Sequence, residues 1–288
     1  MFWGVTESRH LVDIVNQTDA VEGADGEDKL GQLMIRTAFL TDWGALGLFV
    51  LPGFRERTFA DDEARLRGAT PVRGRDATYD ASGKARYVDL AGRWLRTFDD
   101  LDLAVSYFHG TRREPTFATA VRDGKSVLIP HYDLIDQTGL EAQLTRGAWL
   151  WKLEAITRSG HGDRFAAAVA GFEYTLYQMA GTGADLGLLF EYQYDGRDDA
   201  APATAADNDL LLAAHLTLND TADMELLVGV VVNRFNLETA LSVEAAHRLS
   251  DHWKIEAEAR LSVKVPDGGY YAGFRNDDFV QISLQRYF

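Results

Sequence analysis

Apolar and polar residues alternate at period two along this chain, and the alternation recurs from end to end. In the clearest stretch, 253–265, the odd-numbered positions are apolar and the even-numbered positions are charged or serine. Successive side chains of a β-strand point to opposite faces. The stretch therefore predicts a strand with one apolar and one polar face.

Fourteen segments carry this pattern, each near the ~9–11 residues that cross a bilayer at a tilt. Short polar turns alternate with longer loops between them, as in outer-membrane barrels. The pattern predicts one all-β domain over 1–288, an antiparallel up-and-down transmembrane β-barrel of about 14 strands. The predicted strands are 2–12, 31–41, 43–52, 86–97, 101–111, 134–145, 148–159, 164–178, 186–195, 208–219, 224–234, 237–249, 253–265 and 277–288.

Composition narrows the function classes. The 288 residues include no cysteine and carry a formal net charge of -15. Disulfides, thiolate metal sites and cysteine nucleophiles are excluded, and the acidic balance disfavours nucleic acid as a partner. No apolar run reaches the ~18 residues of a membrane helix. We expect no cofactor, no metal site and no enzymatic activity.

Tryptophan positions support the barrel interpretation, because five of the six tryptophans lie beside short connections. An amphipathic indole ring favours the headgroup level of a membrane. Tyr107, Tyr192 and Tyr194 lie toward the opposite ends of their strands, as a second aromatic belt would require. The predicted membrane-interface anchors are Trp43, Trp94, Trp149, Trp151 and Trp253.

The chain ends in a strand-like segment, 280–288, with Val280, Ile282, Leu284 and Phe288 in phase. This ending resembles the C-terminal signature of Gram-negative outer-membrane barrels. The resemblance implies location in the bacterial outer membrane, surroundings of lipid and lipopolysaccharide, and recognition of Phe288 by the barrel assembly machinery. Arg286 departs from the family pattern, which has an aromatic or apolar residue there, although an arginine at the rim can snorkel.

The front of the chain carries a second resemblance. Residues 3–8 and 11–19 look like a segment of large proteobacterial porin-like barrels, including uncharacterised relatives of the alginate-export type. In that family the segment is a strand that leads into a loop, and other strands precede it. The resemblance implies that N-terminal strands and the signal peptide are lacking before Met1.

Alternation also predicts which charged side chains line the lumen, and acids outnumber bases among them. Acidic rings favour cations, so we expect a porin-like channel for small polar or cationic solutes. The arginine-rich loop 53–85 is expected to fold inward and pair with lumen acids. The predicted lumen-lining residues are Asp89, Arg93, Asp102, Glu141, Lys152, Glu154, Arg158, Glu173, Glu191, Glu225, Glu238, Glu244, Arg248, Lys254, Glu256, Glu258, Arg260 and Lys264.

Alternative functions remain open at this point. A non-conducting barrel acting as an enzyme or binding protein would use Ser8–His10 or Ser159–Asp163, which offer serine, histidine and aspartate without visible convergence. Acidic stretches 22–28 and 195–209 contain calcium-type ligands without regular calcium-loop spacing. A soluble sandwich or lipocalin-like binder is a third class. The natural solute, an open or plugged lumen, and a monomer or homotrimer are not distinguished.

Overall fold

The computed structural model describes residues 2–21, 28–61, 64, 68, 70–269 and 271–287. Within them the chain forms β-strands and a few three-residue 3₁₀ turns, at Gly74–Asp76, Lys84–Arg86, Met179–Gly181 and Ala272–Phe274. None of the helical turns in the described part is long and apolar enough to cross a membrane. The strands are β1 (Gln17–Thr18), β2 (Lys29–Leu30), β3 (Ile35–Thr41), β4 (Gly44–Pro52), β5 (Thr78–Tyr79), β6 (Val88–Phe98), β7 (Leu101–Thr111), β8 (Thr116–Arg122), β9 (Lys125–Tyr132), β10 (Leu134–Arg146), β11 (Trp149–Ser159), β12 (Phe165–Leu176), β13 (Asp185–Asp195), β14 (Asn208–Thr217), β15 (Glu225–Asn233), β16 (Thr239–Ser250), β17 (Trp253–Lys264) and β18 (Phe279–Arg286).

One antiparallel sheet of 13 strands dominates the fold, in the order β3-β4-β6-β7 and then β10 through β18. The prediction of an all-β antiparallel fold is confirmed. Strand β7 begins and ends where the alternation predicts it. Strands such as β17 are well predicted because one face is apolar and the other polar, so their period-two signal is strong.

The sheet is open in the part of the chain that the structure describes. Strands β3 and β18 are its two edges, and no pairing joins them. Every neighbouring pair is antiparallel. With 13 strands in alternating directions, the two edge strands therefore run in the same direction.

Connections alternate in length, so the sheet has a turn end and a loop end. At the turn end, two-residue connections follow β3, β6, β10 and β16. At the loop end lie the longer connections 53–87, 112–133, 196–207 and 265–278. This alternation agrees with the sequence pattern.

The first predicted strand is wrong. Residues 2–12 form no strand and instead cross one face of the sheet, which we call the inner face. Trp3 and Val12 of this N-terminal segment are buried with Phe49, Phe108 and Ile156 of the sheet. The buried residues of 2–12 are Trp3, Thr6, Leu11 and Val12, which do not follow a spacing of two. Apolar content in this segment therefore reflects packing on the sheet and not strand pairing.

The predicted loop 112–133 is also corrected, because it contains the hairpin β8–β9. The hairpin turns at Asp123 and Gly124, whose φ angles of 52° and 76° are positive, as a tight Asp-Gly hairpin turn requires. Strand β5 adds to β9 in parallel, and the rings of Tyr79 and Tyr132 stack 5.4 Å apart. This small sheet lies at the loop end.

The arginines of loop 53–85 do not reach lumen acids where they are described. Arg73 pairs with Asp123 at 3.2 Å, and Arg55 donates to the backbone oxygen of Gly31 at 2.9 Å. Arg65 and Arg67 lie outside the described residues. Among the described residues, the N-terminal segment packs on the inner face.

The outer face of the sheet is apolar and exposed. Large aliphatic side chains remain uncovered along the strands, with Val280 70% and Ile282 68% exposed. Water-soluble proteins rarely expose a contiguous apolar surface of this kind. Further exposed side chains of the outer face are Leu48, Val50, Leu90, Val105, Leu140, Leu188, Leu212, Val263 and Leu284.

Candidate functional site on the inner face

Most of the predicted lumen-lining charges lie within strands, and the strand register places these on the inner face. Lys264 is the exception, because it lies beyond a register irregularity between β16 and β17. Glu141 is directly opposite Glu154, and Glu244 is directly opposite Glu258. Glu238 lies just before β16, which begins at Thr239, and it accepts a hydrogen bond from the Tyr271 amide in the loop between β17 and β18. The inner-face charges form two groups, one beneath the N-terminal segment and one uncovered.

A row of three carboxylates on β10, β11 and β13 binds the backbone of the N-terminal segment. Glu141 accepts a hydrogen bond from the Gly4 amide at 3.2 Å. Glu191 accepts from the amides of Glu7 and Ser8, both at 2.8 Å. These amides have no strand partner, so the carboxylates satisfy donors that would otherwise be buried and unpaired.

Glu154 makes the largest number of these contacts and is fully buried. Its Oε1 accepts from the amides of Val5 at 2.7 Å and Thr6 at 3.0 Å, and from the Thr6 hydroxyl at 2.7 Å. Its Oε2 accepts from the Val12 amide at 3.3 Å. A buried carboxylate is costly unless its lone pairs are occupied, and the N-terminal segment occupies those of Glu154.

Ion pairs fix the same segment at both ends of this row. Lys152 contacts Glu7 at 2.6 Å, and Arg9 contacts Asp195 at 3.1 Å. Arg93 donates two hydrogen bonds to Glu141, at 2.9 and 2.6 Å. Because the partners carry opposite charges, the interior tolerates this concentration of ionised groups.

A buried arginine cluster lies where the N-terminal segment reaches the loop end. Arg113 pairs with Asp89 at 2.8 Å and donates to the Val15 backbone oxygen at 3.1 Å. Arg158 donates to the Gln137 side-chain oxygen. Sequence reasoning missed Arg112, Arg113, Glu114 and Arg197 because they follow strand ends. The Arg-Arg-Glu run at 112–114 was the available signal.

The charges of this cluster shift the pKa values of two loop residues, Glu114 and His161. Loss of hydration would raise the pKa of the Glu114 carboxyl, but Arg112 and Arg197 hold that pKa well below its ordinary value. Burial, together with Arg112 and Arg158, lowers the pKa of His161 to about 3. His161 is therefore neutral at physiological pH.

The second group of charges surrounds an uncovered cavity of about 430 Å³ against β14–β18. Its walls include Glu225, Glu244, Glu256, Glu258 and His215. Two basic side chains approach these acids. Lys254 lies 2.7 Å from Glu256, while Arg260 lies 2.6 Å from Glu258 and 3.5 Å from Glu244. Four glutamates against two basic groups leave the cavity acidic.

The residues weighed for catalysis are engaged in other contacts. The Ser8 hydroxyl donates to Glu191, and the Ser159 hydroxyl accepts from Arg164 at 2.8 Å. His10 and His161 contact Glu154 and Arg112 respectively. Within the described residues these serines and histidines do not form a nucleophile–base pair.

The acidic stretch 195–209 is likewise held by protein groups. Asp195 pairs with Arg197 at 2.6 Å, Asp198 accepts backbone amides, and Asp207 accepts from Asn233. Residues 22–27 of the other acidic stretch lie outside the described residues, as does Phe288, the predicted assembly signal.

The predicted interface anchors lie at the turn end. Trp43, Trp149, Trp151 and Trp253 are among the exposed large apolar side chains, and Trp149 stacks on Trp151. The Trp94 indole donates to the Trp43 backbone oxygen at 3.1 Å. The exposed rings form a band at one end of the sheet.

No protein-family model matches the chain, and no curated protein is significantly similar to it.

Proposed function

We propose that the chain is an outer-membrane β-barrel protein that passes small polar or cationic solutes along the acidic cavity on the inner face of its sheet. The observation that carries this proposal is the reversed amphipathicity of the sheet. Its outer face exposes aliphatic side chains, while its inner face carries charged groups and an open cavity. Such a sheet suits lipid outside and water inside.

Insertion into a bilayer would also require the two edges of the sheet to be joined. Unpaired backbone groups at β3 and β18 are costly in hydrocarbon, and closure removes sheet edges. Since both edges run in the same direction, direct closure would pair them in parallel. An antiparallel barrel with an even strand number, typical of bacterial outer membranes, requires a further strand between them.

Exposed aromatic side chains at the two ends of the sheet agree with a position across a membrane. Exposed tryptophans lie at the turn end, and Tyr107 and Tyr194 are exposed toward the loop end. Amphipathic rings at two levels are typical of membrane interfaces. In this arrangement the turn end faces the periplasm and the loop end faces the outside.

Insertion and conduction are tested together by refolding the chain in detergent and adding it to planar bilayers. We expect heat-modifiable migration, which reports a folded barrel, and discrete conductance steps. Boiled protein is the matched control. A folded protein that remains water-soluble without detergent and never inserts would refute the membrane assignment.

A second candidate is a non-conducting barrel that binds a ligand. The specific observation in its favour is that the N-terminal segment buries its side chains against strands from β4 to β12, which removes that part of the interior from any passage. Insertion without conductance steps would favour this candidate over the channel.

A further inference from the structure

Three metal-ligating side chains converge at the loop end, outside the carboxylate row and the acidic cavity. They are Asp80, His131 and Asp133, and one ligand atom from each lies within 4.8 Å of the others. They come from separate segments, since Asp80 follows β5 while His131 and Asp133 lie at the junction of β9 and β10. The parallel pairing of Thr78 with His131 brings these segments together.

The two distances from the His131 imidazole to the carboxylates fit a small divalent ion. His131 Nε2 lies 3.2 Å from Asp80 Oδ1 and 3.5 Å from Asp133 Oδ1. Ligands about 2.0–2.1 Å from a tetrahedral zinc ion lie roughly 3.3–3.4 Å from one another. The two distances bracket that value.

The surrounding bonds orient the ligands. The Thr78 hydroxyl lies 2.9 Å from His131 Nδ1. A proton on Nδ1 shared with this hydroxyl leaves the Nε2 lone pair facing the two carboxylates, as partners of metal-bound histidines commonly do. The Leu134 amide donates to Asp80 Oδ2 at 3.3 Å and thereby leaves Oδ1 toward His131.

Asp133 supplies an independent sign of an unmet interaction. It is only 7% exposed, and its Oδ2 is buried without a hydrogen-bond partner. A buried carboxylate oxygen without a partner is costly. A cation would compensate that cost.

We propose that Asp80, His131 and Asp133 bind one zinc-type divalent ion, with the fourth position left for water. Imidazole among the ligands favours zinc and its neighbours over calcium, which prefers oxygen. Two carboxylates balance the ion's charge. The ion ties the β5–β9 contact to the start of β10.

Zinc binding to the full chain, refolded in detergent and treated with a chelator, tests the proposal. Isothermal titration with Zn²⁺ should give one equivalent, and Co²⁺ should give the visible absorption of tetrahedral coordination. H131A and D133N should each weaken binding at least tenfold. T78V should weaken zinc binding less, because it keeps all three ligands and removes only the hydroxyl that orients the imidazole.

H109A is the matched control. His109 has a side-chain exposure of 32%, against 33% for His131, and faces one carboxylate, Asp136, at 3.0 Å. Zinc affinity should be unchanged in H109A. No stoichiometric binding by the wild type, or unchanged affinity in H131A, would overturn the proposal. Circular dichroism confirms folding, and D80N at the exposed ligand provides a second test if H131A fails to fold. These readouts do not depend on conduction.

Discussion

Replacing Glu154 with glutamine should release the N-terminal segment from the inner face while the sheet stays folded. The substitution keeps the shape of the side chain and removes its charge. In the wild type, Glu154 accepts from the amides of Val5, Thr6 and Val12 and from the Thr6 hydroxyl. A glutamine has one acceptor oxygen, so its NH₂ group must face either the Val12 amide or the other donors.

The magnitude follows from those contacts. Hydrogen bonds to a charged acceptor contribute about 1.5–3 kcal/mol, against about 0.5–1.5 kcal/mol for neutral pairs, and a buried donor left unpaired costs about 1–3 kcal/mol. Weakening the three bonds at Oε1 by about 1 kcal/mol each and leaving one donor unpaired, for about 1–3 kcal/mol, gives about 4–6 kcal/mol. That free energy corresponds to a roughly 10³–10⁴-fold larger opening constant for the segment.

Hydrogen–deuterium exchange with peptide resolution measures this opening. Residues 3–15 should exchange faster in E154Q by that factor, while peptides from β14–β18 remain unchanged. E256Q is the matched control, because Glu256 is an inner-face glutamate that lines the uncovered cavity. Equal exchange of 3–15 in wild type and E154Q, with the variant folded, would refute the docking role of Glu154.

Three further outcomes are expected. W3A should lower the free energy of opening of the same segment by up to the ~3–5 kcal/mol of a buried tryptophan and so speed its exchange. F2A, which alters a half-exposed ring, should change the exchange rate little. Equal effects of the two variants would contradict the packing of Trp3. Glu114 has a folded-state pKa below its ordinary value of 4.5, so its charge stabilises the fold above that pH and this contribution is lost on acidification through the folded-state pKa. E114Q should therefore flatten the acid limb of urea-unfolding stability against pH, and an unaltered limb would exclude this role. G171A should impair refolding, because its Cβ would lie 2.0 Å from the Phe190 backbone oxygen, whereas G92A meets only ordinary contacts at 3.7 Å; equal refolding yields would count against the β12–β13 register.

The sequence predicts most of the sheet because many strands, such as β11 and β17, separate an apolar from a polar face. The spans from β10 to β18 agree with the alternation within a few residues. The N-terminal segment is where that reasoning fails. Leu11 and Val12 are both buried against the sheet, and the Val12 amide is satisfied by Glu154 rather than by a strand edge.

The candidate site is only partly accessible to the same reasoning. Alternation indicates that Glu141, Glu154 and Glu191 share a face, but not that backbone amides occupy them. Clusters built from loops are harder still. Asp80 and His131 lie far apart in sequence and are brought together by the parallel β5–β9 pairing. No local sequence pattern predicts that pairing. The Asp123–Gly124 turn was a readable hairpin signal within the predicted loop.

Glu244 and Glu258 line the acidic cavity along which we propose that solutes pass. This passage is tested by the reversal potential of single channels under a salt gradient, for wild type and the E244Q/E258Q double variant, with D267N at an exposed loop position as control. We predict cation preference in wild type and D267N, and a marked loss of it in the double variant. Conducting channels whose selectivity is the same in all three proteins would contradict the account.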